Sequence, residues 1–499
     1  MLSILVGHSY FLRFDAKQFE RAKPYPPLAT LQTAAILRRA GHRVSVFDAM
    51  LAEGPQEFEQ KLQRSTPSLV VFYEDNFNFL SKMCLGRMRD AACTMIASSR
   101  RAGARVFVAG PDASDAPDSY LAAGAEVVLL GEGLGALLAL VARLDANSQV
   151  DTDALIDGLP GIAYLANGLS TFASGPRRPP PRPQHPEMPA LDLIDIERYR
   201  EVWQRAHGFF SLNMSGSRGC SFRCNWCAKP IWGNQYLQRP ARDVAAEMAN
   251  LKRDYGPDHI WFADDIFGFR VDWVMQFSET IHAENCAVPF TIQTRADLVS
   301  IRMAEALREA GCHEVWIGAE SGSQRVLDAM NKGTTVEEIL QARARLRAVG
   351  VRVGFFIQLG YLDEQMDDIL ETRALIETAR PDDIGVSVSY PLPGTKFYER
   401  VKKQLGAKTN WRESNDLAMM FDGTYRSEFY QAIRELLHEQ VDVEKLKRPE
   451  QNGAYTRVHL VLKQRWTELV SLERQFRLDP FDVRGTSSES AGRLASKIV

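Results

Sequence analysis

The stretch RGCSFRCNWCAK, residues 218–229, contains the side chains best suited to bind a metal. Its three cysteines, Cys220, Cys224 and Cys227, are spaced CxxxCxxC within one short loop. A structural zinc site takes four protein ligands, and an electron-transfer iron–sulfur cluster takes four thiolates. Three thiolates on a [4Fe–4S] cluster instead leave one iron with an open position, which a catalytic metal site needs. The loop therefore predicts a cluster whose missing ligand is a substrate or a cofactor.

The remaining cysteines do not complete this set. Cys286 and Cys312 belong to other predicted strand–helix units, and we expect both to be small buried hydrophobic residues. The total of seven cysteines is odd and does not fit a secreted disulfide framework, so a reducing compartment is favoured. A non-enzymatic module, in which the cysteines hold zinc or a redox-sensing cluster, is the alternative from a different functional class.

The composition is typical of a globular protein with several domains. The chain has 499 residues, of which 45% are hydrophobic and 25% charged, so we expect two or three domains. Its net charge of −3 and the absence of a basic C-terminal module argue against nucleic acid as a partner. No apolar run approaches the roughly 18 to 20 residues that span a bilayer, and the first residues lack the features of a signal peptide. We therefore expect a cytoplasmic protein.

Short β-branched or aromatic runs alternate with helical stretches over residues 1–145, which predicts a mostly parallel sheet. Between the first two runs, Leu28, Leu31 and Ala35 recur at helical spacing and Gly41 ends the predicted helix. The fold class is therefore α/β, with a doubly wound, Rossmann-like N-terminal domain. The predicted strands of this domain lie at 2–6, 44–48, 69–73, 105–109 and 126–130.

A second series of strand–helix units follows a connecting segment at 146–205. Within that segment, the proline-rich stretch 176–189 predicts a stiff linker, and an internal spacer fits it better than an SH3-type ligand. Residues 206–400 predict a partial barrel whose ligand-binding loops follow the strands, and 401–499 predict a helical region with a frayed tail at 483–499. The predicted barrel strands lie at 212–215, 259–264, 288–294, 313–319, 351–359 and 383–390.

The cysteine loop resembles the signature of radical S-adenosylmethionine (radical SAM) enzymes, in which CxxxCxxC follows the first strand of a partial (βα)6 barrel. The resemblance implies that the amino and carboxylate groups of SAM chelate the open iron. It also implies that an electron from the cluster cleaves SAM to methionine and a 5′-deoxyadenosyl radical. In this family the residue before the last cysteine, here Trp226, packs against the adenine of SAM; packing in the protein core is the alternative.

Two further segments are similar to the parts of the family that contact SAM. Asp264 and Asp265, in WFADD, fall where the family binds the SAM amino group, although its glycine–glycine–glutamate form is absent. These two acids alternatively cap the next helix or face solvent. Arg295, in QTRAD, is placed to pair with the SAM carboxylate or a substrate anion, and a surface arginine is the alternative.

The ends of the later barrel strands carry the same resemblance. Glu320, in IGAESGS, occupies the position from which such enzymes hydrogen-bond the ribose hydroxyls of SAM. Gln358 and Gly360 lie in FFIQLGYLDE, which resembles the segment that borders the adenine. SYPLPGTKFYE, residues 389–399, resembles the stretch after the sixth strand of one large subgroup.

That subgroup carries an N-terminal cobalamin (B12)-binding domain and includes the anaerobic magnesium-protoporphyrin ester cyclase and the cobalamin-dependent radical SAM methyltransferases. The turns containing Gly110 and Ser114, and Gly131 and Gly133, resemble its cobalamin-contacting turns. The DxHxxG motif that supplies a cobalt-ligating histidine in many B12 proteins is missing, and His8 lacks that context. The motif is often absent in this subgroup as well, so its absence decides nothing about cobalamin.

The stretch FYEDNFNF, residues 72–79, follows the third strand where the face of the corrin ring is expected. The side chains of Tyr73, Phe77 and Phe79 either form an apolar floor beneath the ring or fill the space that the ring needs. The sequence leaves both alternatives open.

The main interpretation is an enzyme that forms a radical from SAM and acts on an unactivated carbon of a small-molecule substrate, with methyl transfer when cobalamin takes part. The second interpretation keeps the cluster and SAM but uses the N-terminal domain only as a scaffold for cyclisation, rearrangement or group transfer. Both need an external electron donor such as a flavodoxin or ferredoxin. The sequence identifies neither the substrate nor a catalytic acid or base.

Overall fold

The computed structural model of the protein describes residues 1–83, 85–166, 169–172, 187–227, 235–445 and 452–478. Residues 176–186 of the predicted linker and the predicted tail at 483–499 lie outside this range. None of the described helices is long and apolar enough to cross a bilayer. The chain divides into two compact units, one of residues 1–220, 228–264 and 410–416, and one of residues 221–227, 265–409 and 417–499. The predicted domain boundaries remain predictions.

The first unit contains a seven-stranded sheet in the order β2-β1-β3-β4-β5-β6-β7. Its first five strands are parallel and match the predicted ones, while β6 and β7 extend the sheet in antiparallel pairing. All side chains of β3 are buried, as expected for a strand covered by helices on both faces. The strands are β1 (Ser3–Gly7), β2 (Arg43–Phe47), β3 (Leu69–Tyr73), β4 (Arg105–Ala109), β5 (Val127–Leu129), β6 (Ile162–Ala166) and β7 (Leu169–Phe172).

Helices connect these strands, as the alternating pattern predicts. Prolines start several of them at a position where the missing N–H costs nothing, as in the helices that begin at Pro55 and Pro111. The helices are α1 (Ala16–Arg21), α2 (Leu28–Arg39), α3 (Pro55–Ser65), α4 (Phe79–Lys82), α5 (Gly86–Arg101), α6 (Pro111–Asp115), α7 (Pro117–Ala122), α8 (Leu134–Ala146) and α9 (Thr152–Ile156).

The first unit continues with the start of the predicted barrel. Helix α10 (Ile196–His207) begins at an Asp195 cap and leads into β8 (Ser211–Met214), which pairs in parallel with β11 (His259–Phe262). Between them, β9 (Ser217–Gly219) and β10 (Tyr236–Gln238) pair in antiparallel fashion on the two sides of the cysteine motif in the chain, and α11 (Ala241–Tyr255) follows.

The second unit holds four parallel strands, β12 to β15, with helices after each. The six barrel strands have the order β15-β14-β13-β12-β11-β8, which confirms the predicted α/β class with its partial barrel. The elements are β12 (Phe290–Thr294), β13 (Cys312–Glu320), β14 (Arg352–Leu359), β15 (Asp383–Val388), α12 (Val271–Ala283), α13 (Ile301–Glu309), α14 (Gln324–Ala329), α15 (Val336–Ala348), α16 (Met366–Ala379), α17 (Lys396–Val401), α18 (Ser427–Lys445) and α19 (Asn452–Phe476).

The turn after β13 is held tightly against α16. A Cβ on Gly322 would lie 2.3 Å from the backbone oxygen of Glu371, so only glycine fits there. The backbone N–H of Gly322 donates to Thr372 Oγ1 at 2.9 Å, and the Ser323 hydroxyl donates to Asp368 Oδ1 at 2.7 Å. These contacts fix the chain immediately after the C-terminal end of β13, where the predicted ribose ligand lies.

Candidate functional site

The three motif cysteines follow β9 directly. Cys220 is buried, whereas Cys224 and Cys227 are half-buried, and none of the six described cysteines forms a disulfide. Within the described ranges, no three or more histidine, cysteine, aspartate or glutamate side chains are already grouped as metal ligands. The donor set nevertheless fits an iron–sulfur cluster, because three reduced thiols in one loop are the ligands that such clusters take. Assignment of the cluster to these cysteines therefore rests on the motif.

Cys286 and Cys312 are both buried in the second unit, in agreement with the expected hydrophobic role. Burial raises the pKa of the Cys312 thiol well above its ordinary value, so it stays protonated. A protonated thiol in the core is a poor metal ligand, because metals bind the thiolate.

The middle of the cysteine loop is fixed by Asn225, which sequence analysis did not single out. Its backbone N–H donates to Met330 O at 3.0 Å, and its side-chain amide donates to Ala329 O at 2.7 Å. Its side-chain oxygen accepts a hydrogen bond from the Tyr361 hydroxyl at 2.8 Å. These bonds join the residue between Cys224 and Cys227 to the end of α14 and to the turn after β14.

Trp226 packs against an apolar cluster that includes Met330, Tyr361 and Phe397. The alternative of core packing therefore describes part of its environment. Its indole N–H is buried and has no hydrogen-bond partner in the described part of the chain. Because a buried donor without an acceptor is costly, this N–H is available to a bound ligand. Its role at the adenine of SAM stays a prediction.

Glu320 lies at the end of β13 in the left-handed region, with φ of 61°. The pairing of β13 with β14 is irregular between Gly318 and Glu320, which turns this side chain out of the regular strand. A left-handed conformation costs a non-glycine residue about 1 to 3 kcal/mol and is typically retained at functional sites. The backbone therefore favours a functional role for this carboxylate.

The partner of Glu320 is Lys332, which sequence analysis missed. Lys332 Nζ donates to Glu320 Oε1 at 2.8 Å, and both side chains are buried. A Cβ on Gly318 would lie 2.7 Å from each of these atoms, so the glycine leaves room for the pair. Burial lowers the pKa of Lys332, but the nearby Glu320 and Cys224 outweigh it and raise the pKa above its ordinary value. The lysine thus stays charged beside a motif cysteine.

Arg295 is also buried, and its guanidinium contacts the cysteine loop. Nε and Nη2 donate to the two carboxylate oxygens of Asp297 at 2.9 and 3.2 Å. Nη1 donates to Cys224 Sγ at 3.6 Å, and the guanidinium carbon lies 3.7 Å from the centre of the Phe222 ring. Arg295 is therefore not a surface residue. Its predicted pairing with the SAM carboxylate stays a prediction.

The end of β14 holds the two residues predicted near the adenine. Gln358 is buried and donates to Ser389 Oγ at 2.9 Å. Gly360 has φ of 72°, and its N–H donates to Glu364 Oε2 at 2.6 Å. Burial raises the pKa of Glu364 to about 8, so this carboxyl is largely protonated at neutral pH. The turn is thus polar but enclosed.

Asp264 and Asp265 differ in their surroundings. Asp264, at the end of β11, is buried and accepts hydrogen bonds from Gly216 N at 2.9 Å and from the Ser217 hydroxyl. It therefore anchors the segment that leads to Cys220. Asp265 is only half-buried. A contact of either acid with the SAM amino group remains a prediction.

The four residues predicted to contact cobalamin lie at the ends of β4 and β5. The Ser114 hydroxyl donates to Gly110 O at 2.7 Å and accepts from Gly131 N at 2.9 Å, which joins the two turns. Gly133 has φ of 65°, and a Cβ there would lie 2.5 Å from Leu129 Cβ. The structure brings these turns together, and their contact with cobalamin stays a prediction.

Buried polar atoms without partners lie at the neighbouring ends of β1 and β3. Ser9 N donates to Glu74 Oε2 at 3.1 Å. Ser9 Oγ, Glu74 Oε1 and Asn76 Oδ1 are buried and make no hydrogen bond within the described ranges. Burial raises the pKa of Glu74 above its ordinary value. The strand order β2-β1-β3 reverses between β1 and β3, because the chain adds strands on one side of β1 and then on the other. Doubly wound folds bind their ligands at such a switch point.

Other side chains of this edge are already engaged. His8 is buried, and its Nε2 lies 3.0 Å from Asp48 Oδ1. Burial lowers the pKa of His8, but Asp48 outweighs it and the net pKa is raised. Tyr73 belongs to the buried core of β3, and its hydroxyl donates to Glu132 O at 2.5 Å. Tyr73 therefore belongs to the buried core of the sheet, and its contact with a corrin ring stays a prediction.

Arg218, two residues before Cys220, contacts this same edge. Nη1 donates to Glu132 Oε1 at 2.7 Å, and Nη2 donates to Gln32 Oε1. Its guanidinium carbon lies 5.4 Å from the centre of the Phe77 ring. The side chain of Phe79 lies outside the described residues. Arg218 thus links the residues that lead into the cysteine motif to the C-terminal edge of the N-terminal sheet.

Comparison with known proteins agrees with this geometry. Residues 214–376 match the family model of the radical SAM superfamily. An uncharacterized methyltransferase of Pyrococcus horikoshii is 25% identical over 409 residues, which cover 78% of this chain and 81% of that protein. The anaerobic magnesium-protoporphyrin IX monomethyl ester cyclase of Cereibacter sphaeroides is 26% identical over 291 residues, 56% of this chain and 45% of that protein.

A solved structure shares the fold of most of the chain. The cobalamin-dependent S-adenosylmethionine radical enzyme OxsB, with aqua-cobalamin and S-adenosylmethionine bound, aligns with a TM-score of 0.65 at 16% identity. The alignment covers 93% of this chain and 72% of that one. The matched family model and the cysteine motif that follows β9 show a radical SAM domain at residues 214–376, and the chain shares the overall fold of OxsB.

Proposed function

We propose that this enzyme is a cobalamin-dependent radical SAM methyltransferase that acts on an unactivated carbon of a small molecule. The observation that carries the cobalamin part is a set of buried polar atoms at the β1/β3 switch point that have no partner in the described part of the chain. They belong to Ser9, Glu74 and Asn76. An enclosed edge with unmet hydrogen-bonding groups is suited to a ligand rich in amides. The methyltransferase name of a relative that spans most of the chain supports the reaction class.

The bound groups supply the difficult chemistry. When bound, the cluster would supply the electron for the reductive cleavage of SAM, and cobalamin would supply the methyl group. We assign the cluster to Cys220, Cys224 and Cys227. The chain's own residues hold and orient these groups, because a radical that meets water or a wrong carbon is lost.

Glu320 is the residue best placed to bind the ribose of SAM. Its Oε1 takes the hydrogen bond of Lys332, while Oε2 makes none with the described residues. The Lys332 ammonium contacts this carboxylate directly, and a hydrogen bond from a hydroxyl group to a carboxylate oxygen is stronger than one between neutral groups. We infer that Lys332 orients Glu320.

Arg218 links the N-terminal edge to the strand that precedes Cys220. Because Arg218 contacts Glu132 and Phe77 of that edge, a ligand bound there would lie close to the residues that lead into the cysteine motif. Phe77, half-buried beneath a guanidinium, is the aromatic candidate for the corrin face.

An external one-electron donor is required, since the cluster must be reduced before SAM is cleaved. We propose a low-potential flavodoxin or ferredoxin. None of the six described cysteines forms a disulfide, which is compatible with the reducing cytoplasm that such donors occupy.

Replacing Cys220, Cys224 and Cys227 together with alanine is expected to remove the broad visible absorption of the cluster and all formation of 5′-deoxyadenosine from SAM. The other interactions of the fold remain, so circular dichroism should stay that of the parent. Cys93→Ala is the matched control, because Cys93 is another half-buried cysteine outside the motif. SAM cleavage by the triple variant at the parent rate would contradict the cluster assignment.

Glu320→Gln is expected to weaken SAM binding about ten- to a hundredfold, because a charge-assisted hydrogen bond contributes roughly 1.5 to 3 kcal/mol. Lys332→Met leaves a buried carboxylate without its partner and should lower the unfolding free energy by about 3 to 5 kcal/mol. The double variant removes both charges and should regain much of that loss. Equilibrium dialysis and urea unfolding measure the two effects. Parent SAM affinity in Glu320→Gln with intact iron would leave Glu320 a purely structural role.

Anaerobic reconstitution with hydroxocobalamin should give one cobalt per chain after gel filtration. Ser9→Ala is expected to weaken cobalamin retention about two- to tenfold without destabilising the fold, because its hydroxyl has no partner among the described residues. Ser99→Ala is the control, since that buried hydroxyl donates to Met95 O. Failure of the parent to retain cobalt while it still cleaves SAM would support the scaffold interpretation instead.

A further inference from the structure

The three nitrogens of the buried Arg295 guanidinium have different partners. Nε and Nη2 form the edge that binds Asp297, and Nη2 also donates to Lys332 O at 2.8 Å. Nη1 instead points to the sulfur of Cys224, at 3.6 Å. Because the carboxylate of Asp297 fixes the plane of the guanidinium, the direction of the Nη1 hydrogen bond is fixed as well.

This contact brings a positive charge to a predicted cluster ligand in a site with little water. Arg295 is 5% exposed, and Phe222 covers its face at 3.7 Å. Reduction adds one negative charge to an iron–sulfur cluster, so hydrogen bonds and positive charge at its thiolates stabilise the reduced form. The effect is strong where solvent is excluded, since water screens buried charges poorly.

We propose that Arg295 is a positioning residue that raises the reduction potential of the cluster by donating a hydrogen bond to the Cys224 thiolate. The inference rests on the proposed function, because it needs a cluster at the three cysteines. In this proposal Arg295 acts on the Cys224 thiolate, and Asp297 partly neutralises the positive charge of Arg295. A second buried cation, Lys332, lies nearby but is neutralised by direct contact with Glu320.

The competing explanation is that Arg295 only holds the cysteine loop in place. Its contact with the Phe222 ring belongs to that loop, so removing Arg295 also removes a packing interaction. A purely structural role predicts loss of bound iron with no change in the potential of any cluster that remains. A role in tuning predicts full iron content and a changed potential.

The test is a redox titration of the anaerobically reconstituted full-length protein, monitored by electron paramagnetic resonance without SAM. Arg295→Gln should lower the ratio of reduced to oxidised cluster about tenfold at a fixed potential, which is about 59 mV for one electron. Asp297→Asn should change the ratio in the opposite direction, because Arg295 then keeps its charge without a neutralising carboxylate. Phe222→Leu keeps the donor and should retain the parent potential.

Each outcome bears on the inference. A full cluster with parent potential in Arg295→Gln overturns it, and so does an equal shift in Phe222→Leu, which would assign the effect to loop packing. If Arg295→Gln binds no iron, the cluster potential of Asp297→Asn becomes the test. An unchanged or lowered reduction potential in Asp297→Asn then overturns the inference. If the parent protein forms no cluster, the proposed function itself is wrong. That outcome differs from a parent protein that forms the cluster while its variants keep the parent potential, which contradicts only the role of Arg295.

Discussion

The C-terminal ends of parallel strands lie at the same edge of a sheet, and this constraint determines where functional side chains can meet. In the second unit, β13 and β14 end at Glu320 and at the turn that carries Gly360. In the N-terminal sheet, β1 and β3 end at the buried polar atoms of Ser9 and Glu74. Each edge therefore collects polar groups that a strand interior would not tolerate.

Burial of charge is the cost of this arrangement. Glu320 and Lys332 are removed from water together, and the left-handed backbone of Glu320 adds strain. Arg295 is compensated by Asp297, whereas Ser9 Oγ and the Trp226 N–H have no compensation among the described residues. A protein selected for stability alone would replace such groups with apolar ones. We propose that bound ligands complete the hydrogen bonding of Ser9 Oγ and the Trp226 N–H.

The sequence predicted the strands well because hydrophobic periodicity is a local property, and the eleven predicted strands all appear. It also located Glu320, since glycines on both sides of a glutamate at a strand end are a local signal. The sequence pattern could not reveal Lys332 or Asn225, because their roles depend on contacts that are not local. Lys332 contacts Glu320, 12 residues earlier, and Asn225 accepts a hydrogen bond from Tyr361, 136 residues later. The antiparallel β6 and β7 were missed for a similar reason, because their register is fixed by an existing sheet edge.

A cluster held by three cysteines would leave one iron open for SAM. Electron–nuclear double resonance of the reduced protein tests this coordination, with SAM carrying ¹⁵N in the amino group and ¹⁷O in the carboxylate. We expect hyperfine coupling of both labels to the cluster, since the two groups would bind the open iron. Absence of coupling from both labels in protein saturated with SAM would contradict it, because the fourth position would then belong to another ligand.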